Sequence, residues 1–213
     1  MTIWFTADTH FDHANIMKFC PETRPGDSVD SMNENIITIW NRKIKPQDTV
    51  FHLGDFAWKE RKAGEHFARL NGIKHLIIGN HDTNKVKNLP WKTVLSYNEL
   101  KFHGKLIVML HYPMLTWKNN EHGSIHLYGH VHGEAMKELE GTNSMDVGMD
   151  ALDGQVLINL ESVLWRFRGY EECPDCDGHG IVSDYGAFGQ DFDGPKECNY
   201  CSGSGRVRKG KLS

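Results

Sequence analysis

The 213-residue chain has no apolar run approaching the roughly 20 residues that a membrane-crossing helix needs. Its first residues, "MTIWFTADTH", carry neither a basic n-region nor a small-residue cleavage site, so no secretory signal is expected. Positive charge is also scarce. The formal net charge is −4, which speaks against a broad nucleic-acid surface, because phosphate binding wants a basic face. The basic end "RVRKGKLS" reads as a solvated terminus. Only Cys20 lies outside two C-x-x-C pairs, a poor framework for disulfides and, in a reducing compartment, a better one for metal. A cytoplasmic protein with no membrane partner is the expectation.

What the chain has in excess is histidine, with 13 residues of that type. Their placement follows a pattern. Short apolar runs at 2–8, 48–55, 74–82, 105–113 and 124–133 read as strands, and 155–164 as a last strand leading into a turn. Apolar residues at Val29, Met32, Ile36, Ile37, Trp40 and Ile44 have helical spacing, and 59–72 reads as a second helix stopped by Asn71-Gly72. Early strands alternate with helices and later strands follow one another, which predicts an α/β fold with a mixed sheet or two stacked sheets. In open α/β sheets the functional crevice lies beyond the carboxyl ends of the strands. Five successive strand ends deliver Asp8 and His10, Asp55, Asn80 and His81, His111, then His130 and His132.

Asp, Asn and His offer oxygen and nitrogen ligands suited to Mn²⁺, Fe²⁺, Zn²⁺ and similar ions. Asp8-x-His10 and His130-x-His132 have period-two spacing, which on an extended strand turns both side chains of a pair to one side. A single ion cannot take all seven candidates, so two ions are expected, about 3.5–4 Å apart as in two-metal hydrolytic sites. A carboxylate is the natural bridge between them. A lone "GD" or a lone histidine at a strand end is an ordinary feature. It is the ordered set DxH, GD, GNHD, H and GHxH that points to metal.

This set, "DTH", "GD", "GNHD", His111 and "GHVH", resembles the calcineurin-like metallophosphoesterase superfamily over about residues 2 to 165. The stretches "ADTHFDHANIMKFC", "MNENIITIWN" and "VFHLGDF" look like the small phosphoesterases of bacteria and their phages. The resemblance implies a four-layer α/β/β/α sandwich over residues 1–169. It implies one ion held by Asp8, His10 and His132, another by Asn80, His111 and His130, with Asp55 bridging. Mn²⁺ is the expected metal, with Fe²⁺, Ni²⁺ or Zn²⁺ as alternatives. A water or hydroxide shared by the ions is the implied nucleophile, His81 the general acid, and Asp82 the partner of the other His81 ring nitrogen. Arg24 matches an Arg-Pro of the phage-type relatives and is expected to clamp a phosphate oxygen; a plain surface arginine is the alternative. His13 reads as a helper of the site or a helix-start residue, His52 as a core histidine, and Tyr112 as a packing residue.

Residues 170–213 form a separate expectation. "CPDCDGHG" and "CNYCSGSG" both fit CxxCxGxG, the repeat of the zinc domain of DnaJ chaperones. Cys173, Cys176, Cys198 and Cys201 supply four thiolates, enough for one structural Zn²⁺. The expected activity is hydrolysis of a phosphomonoester or phosphodiester, with a small molecule or nucleotide as substrate. A weakly catalytic scaffold that binds a protein partner through the zinc tail, and a nuclease, are the alternatives.

Overall fold

A computed structural model describes residues 1–24, 26–58, 60–134 and 136–167, together with the short paired segments at 170–172, 181–182, 196–197 and 206–208. The chain divides into two compact units, Met1–Leu160 and Glu161–Ser213. The first unit holds both large sheets. One is built from β1 (Ile3–Thr6), β2 (Thr49–His52), β3 (Ile73–Ile77) and β4 (Val94–Leu95), all parallel. The other contains β5 (Tyr97–Phe102), β6 (Lys105–Leu110), β7 (Ile125–Tyr128) and β8 (Ser144–Asp146), in the order β5-β6-β7-β8. A short β9 (Ile158–Asn159) closes the first sheet antiparallel to β1, giving β4-β3-β2-β1-β9. The α/β class with two sheets is as expected. One expectation fails: most of 155–164 is not strand, because helix Leu160–Arg166 takes over directly after Asn159.

Helix α1 spans Ile16–Phe19, α2 Val29–Lys43, α3 Glu60–Arg69 and α4 Asn84–Lys87. The start of α2 is fixed by a reciprocal cap. Ser31 N–H donates to Ser28 Oγ at 3.2 Å, and Ser28 N–H donates to Ser31 Oγ at 3.0 Å. The apolar stripe read from the sequence is the buried face, with Met32, Ile36, Ile37 and Trp40 in one cluster with Val50 and Leu76 of the first sheet. On the strands the alternation of period two sends Val50 to the helices. Phe51, stacked on Phe5 with centroids 5.9 Å apart, points to the other face. In the second sheet Leu106 and Val108 are covered by Trp117 and Met114, while Ile107 and Met109, on the opposite face, are fully buried. The two inner faces together make the interior between the sheets.

The second unit contains two short antiparallel ladders, Tyr170–Glu172 with Arg206–Arg208 and Ile181–Val182 with Lys196–Glu197. The four cysteines of the tail lie outside the described residues. Among the described residues no helix is long and apolar enough to cross a membrane.

Candidate metal centre

The sequence reading places the ligands on extended strand ends, and the backbone corrects it. Strand β1 stops at Thr6 and β7 at Tyr128, before the ligands begin. Asp8, His10, Asp55, His130 and His132 all have positive φ, between 46° and 75°. For residues with a Cβ this left-handed conformation is uncommon and costs energy, on the order of 1–3 kcal/mol at sparsely populated sites. The turns are held by neighbours. Asp8 N–H donates to Gly54 O at 3.0 Å and His10 N–H to Asp55 O at 3.1 Å, so the loops after β1 and β2 zip together. His130 N–H donates to Asp8 Oδ2 at 2.9 Å, tying the second sheet to the first. Gly129 lets that happen, since a Cβ there would come within 2.5 Å of Ala7 Cβ and of Asp8 Oδ2.

Two ligand groups result. Asp8, His10 and His132 offer donor atoms within 4.8 Å of one another, and so do Asp55, His111 and His130. Asp55 Oδ2 lies 3.7 Å from His10 Nε2 and 3.6 Å from His111 Nε2, between the groups. Asn80 Oδ1 is 2.9 Å from His111 Nε2. The structure thus brings together all seven side chains that the sequence nominates as candidate ligands. Two histidines are also aimed. His111 Nδ1 lies 2.7 Å from Leu53 O and His132 Nδ1 lies 2.7 Å from Asp150 Oδ2, which leaves each Nε2 to the centre.

Charge and hydrogen bonding test whether cations fit. Asp8 Oδ1 and both ring nitrogens of His10 are buried with no partner in the protein. Burial, followed by the charges of Asp146 and Asp55, pushes the Asp8 carboxyl well above its usual range. Burial, then Arg24, pushes His10 far below the ordinary histidine value. A buried carboxylate among carboxylates and an unpartnered neutral imidazole lack one thing in common, a cation. The residues fit divalent metal.

Two expected helpers, Asp82 and Arg24, stand elsewhere than foreseen. Asp82 does not reach the His81 ring: its Oδ2 accepts from Asp55 N–H at 3.0 Å and Gly79 N–H at 2.8 Å, and its Oδ1 from Phe56 N–H at 3.0 Å. The carboxylate folds back into its own turn, as Asp does when amides are near. His81 is held instead by its N–H, which donates to Asp55 Oδ1 at 2.8 Å, and by Trp58, whose ring lies 4.8 Å away. Arg24 is neither a surface residue nor pointed at substrate. Its Nη2 donates to Asp8 O at 2.8 Å and to Asp150, its Nη1 to Thr9 O at 3.1 Å, and the residue is buried.

Asp146 and Asp150 are the residues that sequence reasoning missed. Asp150 gathers Thr23, Arg24 and His132; burial works against its charge, and the His132 hydrogen bond and the Arg24 charge outweigh burial, holding the carboxyl below its usual value. Asp146 accepts from Gly148 N–H at 2.7 Å and Gly133 N–H at 3.0 Å, and so caps the His130–His132 loop. Nothing in "SMDVGMD" advertises this. Asp12 is a third such anchor, pairing with Asn33 of α2 at 2.8 Å and with His66 of α3 at 3.1 Å.

Comparison with known proteins agrees with this arrangement. An uncharacterised Methanocaldococcus jannaschii protein, MJ1445, is 34% identical over 158 residues, covering 71% of this chain and 83% of its own. The gene 66 protein of Mycobacterium phage L5 is 24% identical over 182 residues, covering 70% and 86%. The crystal structure of AQ665 from Aquifex aeolicus, a protein of unknown function, shares the fold with a TM-score of 0.64 at 24% identity, over 78% of this chain and 98% of that one. The description "Calcineurin-like phosphoesterase superfamily domain" matches residues 1–159, the stretch that carries every ligand named above. With seven metal-compatible side chains converging where that match runs, the chain belongs to the calcineurin-like phosphoesterase superfamily, whose members hydrolyse phosphate esters.

Proposed function

We propose that the chain is a dinuclear-metal phosphoesterase, acting on phosphodiesters or phosphomonoesters. Asp8, His10 and His132 would hold one divalent ion and Asn80, His111 and His130 the other, with Asp55 placed to serve both. The observation that carries this reading is the position of Asp55 Oδ2, 3.7 Å from His10 Nε2 and 3.6 Å from His111 Nε2. A carboxylate oxygen shared between two histidine groups suits two cations better than one. Bound divalent ions supply Lewis acidity, lowering the pKa of water and offsetting charge on the phosphoryl oxygens. The donor set, oxygen and imidazole without thiolate, suits Mn²⁺, the ion used to load the protein below, and equally Fe²⁺, Ni²⁺ or Zn²⁺.

The protein's own part is positioning and proton transfer. Asn80 contributes a neutral oxygen, so the second group gains a ligand without another negative charge. His81, exposed at the rim and anchored through its N–H to the Asp55 carboxylate, hands a proton to the leaving oxygen. Arg24, Asp82 and Asp150 act from beneath, fixing the backbone and the His132 tautomer. In the tail, Cys173, Cys176, Cys198 and Cys201 hold one structural Zn²⁺, a reading supported by their spacing. Replacing Cys173 with Ser is expected to remove that zinc from a metal assay.

The direct test is hydrolysis of bis-p-nitrophenyl phosphate and p-nitrophenyl phosphate by the Mn²⁺-loaded protein beside Asp55→Asn. Turnover of either ester that disappears in the variant supports the reading and sorts diesterase from phosphatase. No turnover of either by protein carrying two bound ions would overturn it.

A further inference from the structure

A cavity of about 680 Å³ opens beside the metal centre and continues its surface. His10, His81, His130 and His132 form its metal-side wall. Ile16, Phe19, Cys20, Trp58 and Val131 supply the less polar part of its lining. Trp58 is 45% exposed and Phe19 72%, a high exposure for two large aromatic rings beside a catalytic centre. The indole is not loose. His13 stacks on one of its faces with centroids 4.0 Å apart and planes at 16°, and His81 meets it tilted at 54°. No aromatic ring among the described residues lies parallel on the second face.

The polar groups of this cavity are of a particular kind. Among the described residues no lysine or arginine lines it. Glu134 and Asn15 do, both exposed. Asn15 precedes α1 and makes no side-chain capping hydrogen bond to it. His13, 9% exposed, has an Nδ1 with no protein partner. Among the described residues a second phosphate would meet Glu134 and, apart from the histidines, no basic side chain. A flat, uncharged heterocycle would meet an aromatic platform, an amide that can donate and accept, and a carboxylate that accepts from an amino group. Asn and Glu are the side chains that read base edges this way.

We propose that this cavity is a nucleoside subsite, and that the substrates are phosphoesters in which the nucleoside is the leaving alcohol. The assignment rests on the phosphoesterase reading above. It follows from where the proton donor stands: the His81 ring packs against Trp58, centroids 4.8 Å apart, and lies 5.8 Å from His10, so the oxygen it protonates belongs to the group that occupies the Trp58 cavity. Water adds its oxygen to phosphorus and releases one proton. The bond from phosphorus to the nucleoside oxygen breaks, and that oxygen takes the proton of His81, which solvent restores. Trp58 is then a specificity residue, with Asn15 and Glu134 reading the base edge.

The test is binding of adenosine and of ribose to the full-length Mn²⁺-loaded protein, by calorimetry and tryptophan fluorescence. Trp58→Leu and Trp58→Phe are measured in parallel, with hydrolysis of bis-p-nitrophenyl phosphate run on each preparation. Adenosine is expected to bind saturably and ribose not. Trp58→Leu should weaken adenosine by about 5- to 150-fold, the range of a base-on-aromatic stack. Trp58→Phe should restore most of the loss, which separates stacking from a folding defect. Absence of saturable adenosine binding up to about 10 mM, where even a weak stacked nucleoside registers, overturns the subsite, and so does equal binding by Trp58→Leu. If the ester is hydrolysed in that case, the phosphoesterase reading survives alone. Adenosine binding that depends on Trp58, in protein that hydrolyses no ester, would support the subsite and overturn the proposed reaction.

Discussion

Removing the Asp150 carboxylate should damage stability and metal binding together, by amounts that its contacts set. Asp150 accepts from Thr23 Oγ1, from Arg24 Nη2 and from His132 Nδ1. Arg24 is 3% exposed, so Asp150→Ala leaves a guanidinium buried without its counter-charge. Breaking a buried pair from one side costs about 3–5 kcal/mol. Arg24 keeps two carbonyl partners, Asp8 O and Thr9 O, which places the loss at the lower end, about 3 kcal/mol. For a chain of this size that lowers Tm by about 6–12 °C. Released from Asp150, His132 is no longer held in the tautomer that aims Nε2 at the centre, and metal affinity should fall about 10- to 100-fold. Denaturation followed by circular dichroism and calorimetric Mn²⁺ titration measure the two effects. Arg24→Met combined with Asp150→Ala should cost less than the sum of the single changes, because neither charge is left alone. A loss below about 1 kcal/mol in Asp150→Ala, the scale of an ordinary surface change, would refute the reasoning, as would strict additivity in the double variant.

Other outcomes follow from single contacts. His81→Ala should keep both metals by elemental analysis yet lose about 10²- to 10⁴-fold in rate for esters of poor leaving alcohols; metal loss would contradict a proton-transfer role. Gly79→Ala should fail to retain full metal stoichiometry, since the new Cβ would lie 2.5 Å from Asp55 N and collide with the Asp55 carboxylate. His126 gives a pH effect away from the centre. Its Nδ1 lies 3.2 Å from Val108 O and its Nε2 accepts from Met114 N–H at 3.1 Å, so the neutral ring fills both roles. Burial lowers its pKa to about 4, outweighing the Val108 hydrogen bond, which favours the charged form. The unfolded chain therefore binds this proton first as pH falls below about 6.5. The stability lost grows down to about pH 4 and reaches about 2 kcal/mol at pH 5. His126→Gln should flatten the pH 5–7 limb of a denaturation series by that amount, and an unchanged slope would exclude the assignment.

The elements legible in the sequence are those whose periodicity was unopposed. The α2 stripe from Met32 to Trp40 and the apolar runs of β1, β2, β3, β6 and β7 announce themselves, because one face or both are buried. Strand β5, "YNELKF", does not. Its residues are partly or wholly exposed and its polar Asn98, Glu99 and Lys101 hide the alternation, so only its partner β6 reveals it. The His103-Gly104 turn, with φ of 45° and 76°, joins them as a two-residue hairpin, a signal easily passed over because His is not a usual turn residue. Helix Leu160–Arg166 reads as strand in the sequence because "VLINLESVL" has too few residues for its period to separate from two.

At the centre the motifs name side chains that do converge, but the geometric argument for them fails. Period-two spacing is meaningful on extended backbone, but Asp8, His10, His130 and His132 sit in left-handed turns. Such turns do not appear in a hydrophobic pattern, and Asp and His carry no compulsory signature for positive φ as glycine does. What stabilises them is equally silent, because the anchors are single carboxylates far along the chain: Asp82 for the Asp55 turn, Asp146 for the His130–His132 loop, Asp12 for the loop after β1. Asp82 and Asp146 accept backbone amides and Asp12 pairs with the side chains of Asn33 and His66, tasks any Asp in the right place can do, so no residue order marks them beforehand. Placing the ligands on strained turns has a physical consequence. The anchors, and not the sheets, set the ligand positions. Changes at Asp82 or Asp146 should therefore reduce metal binding while leaving the strands paired, whereas equal damage to the core would move stability first and the centre only with it.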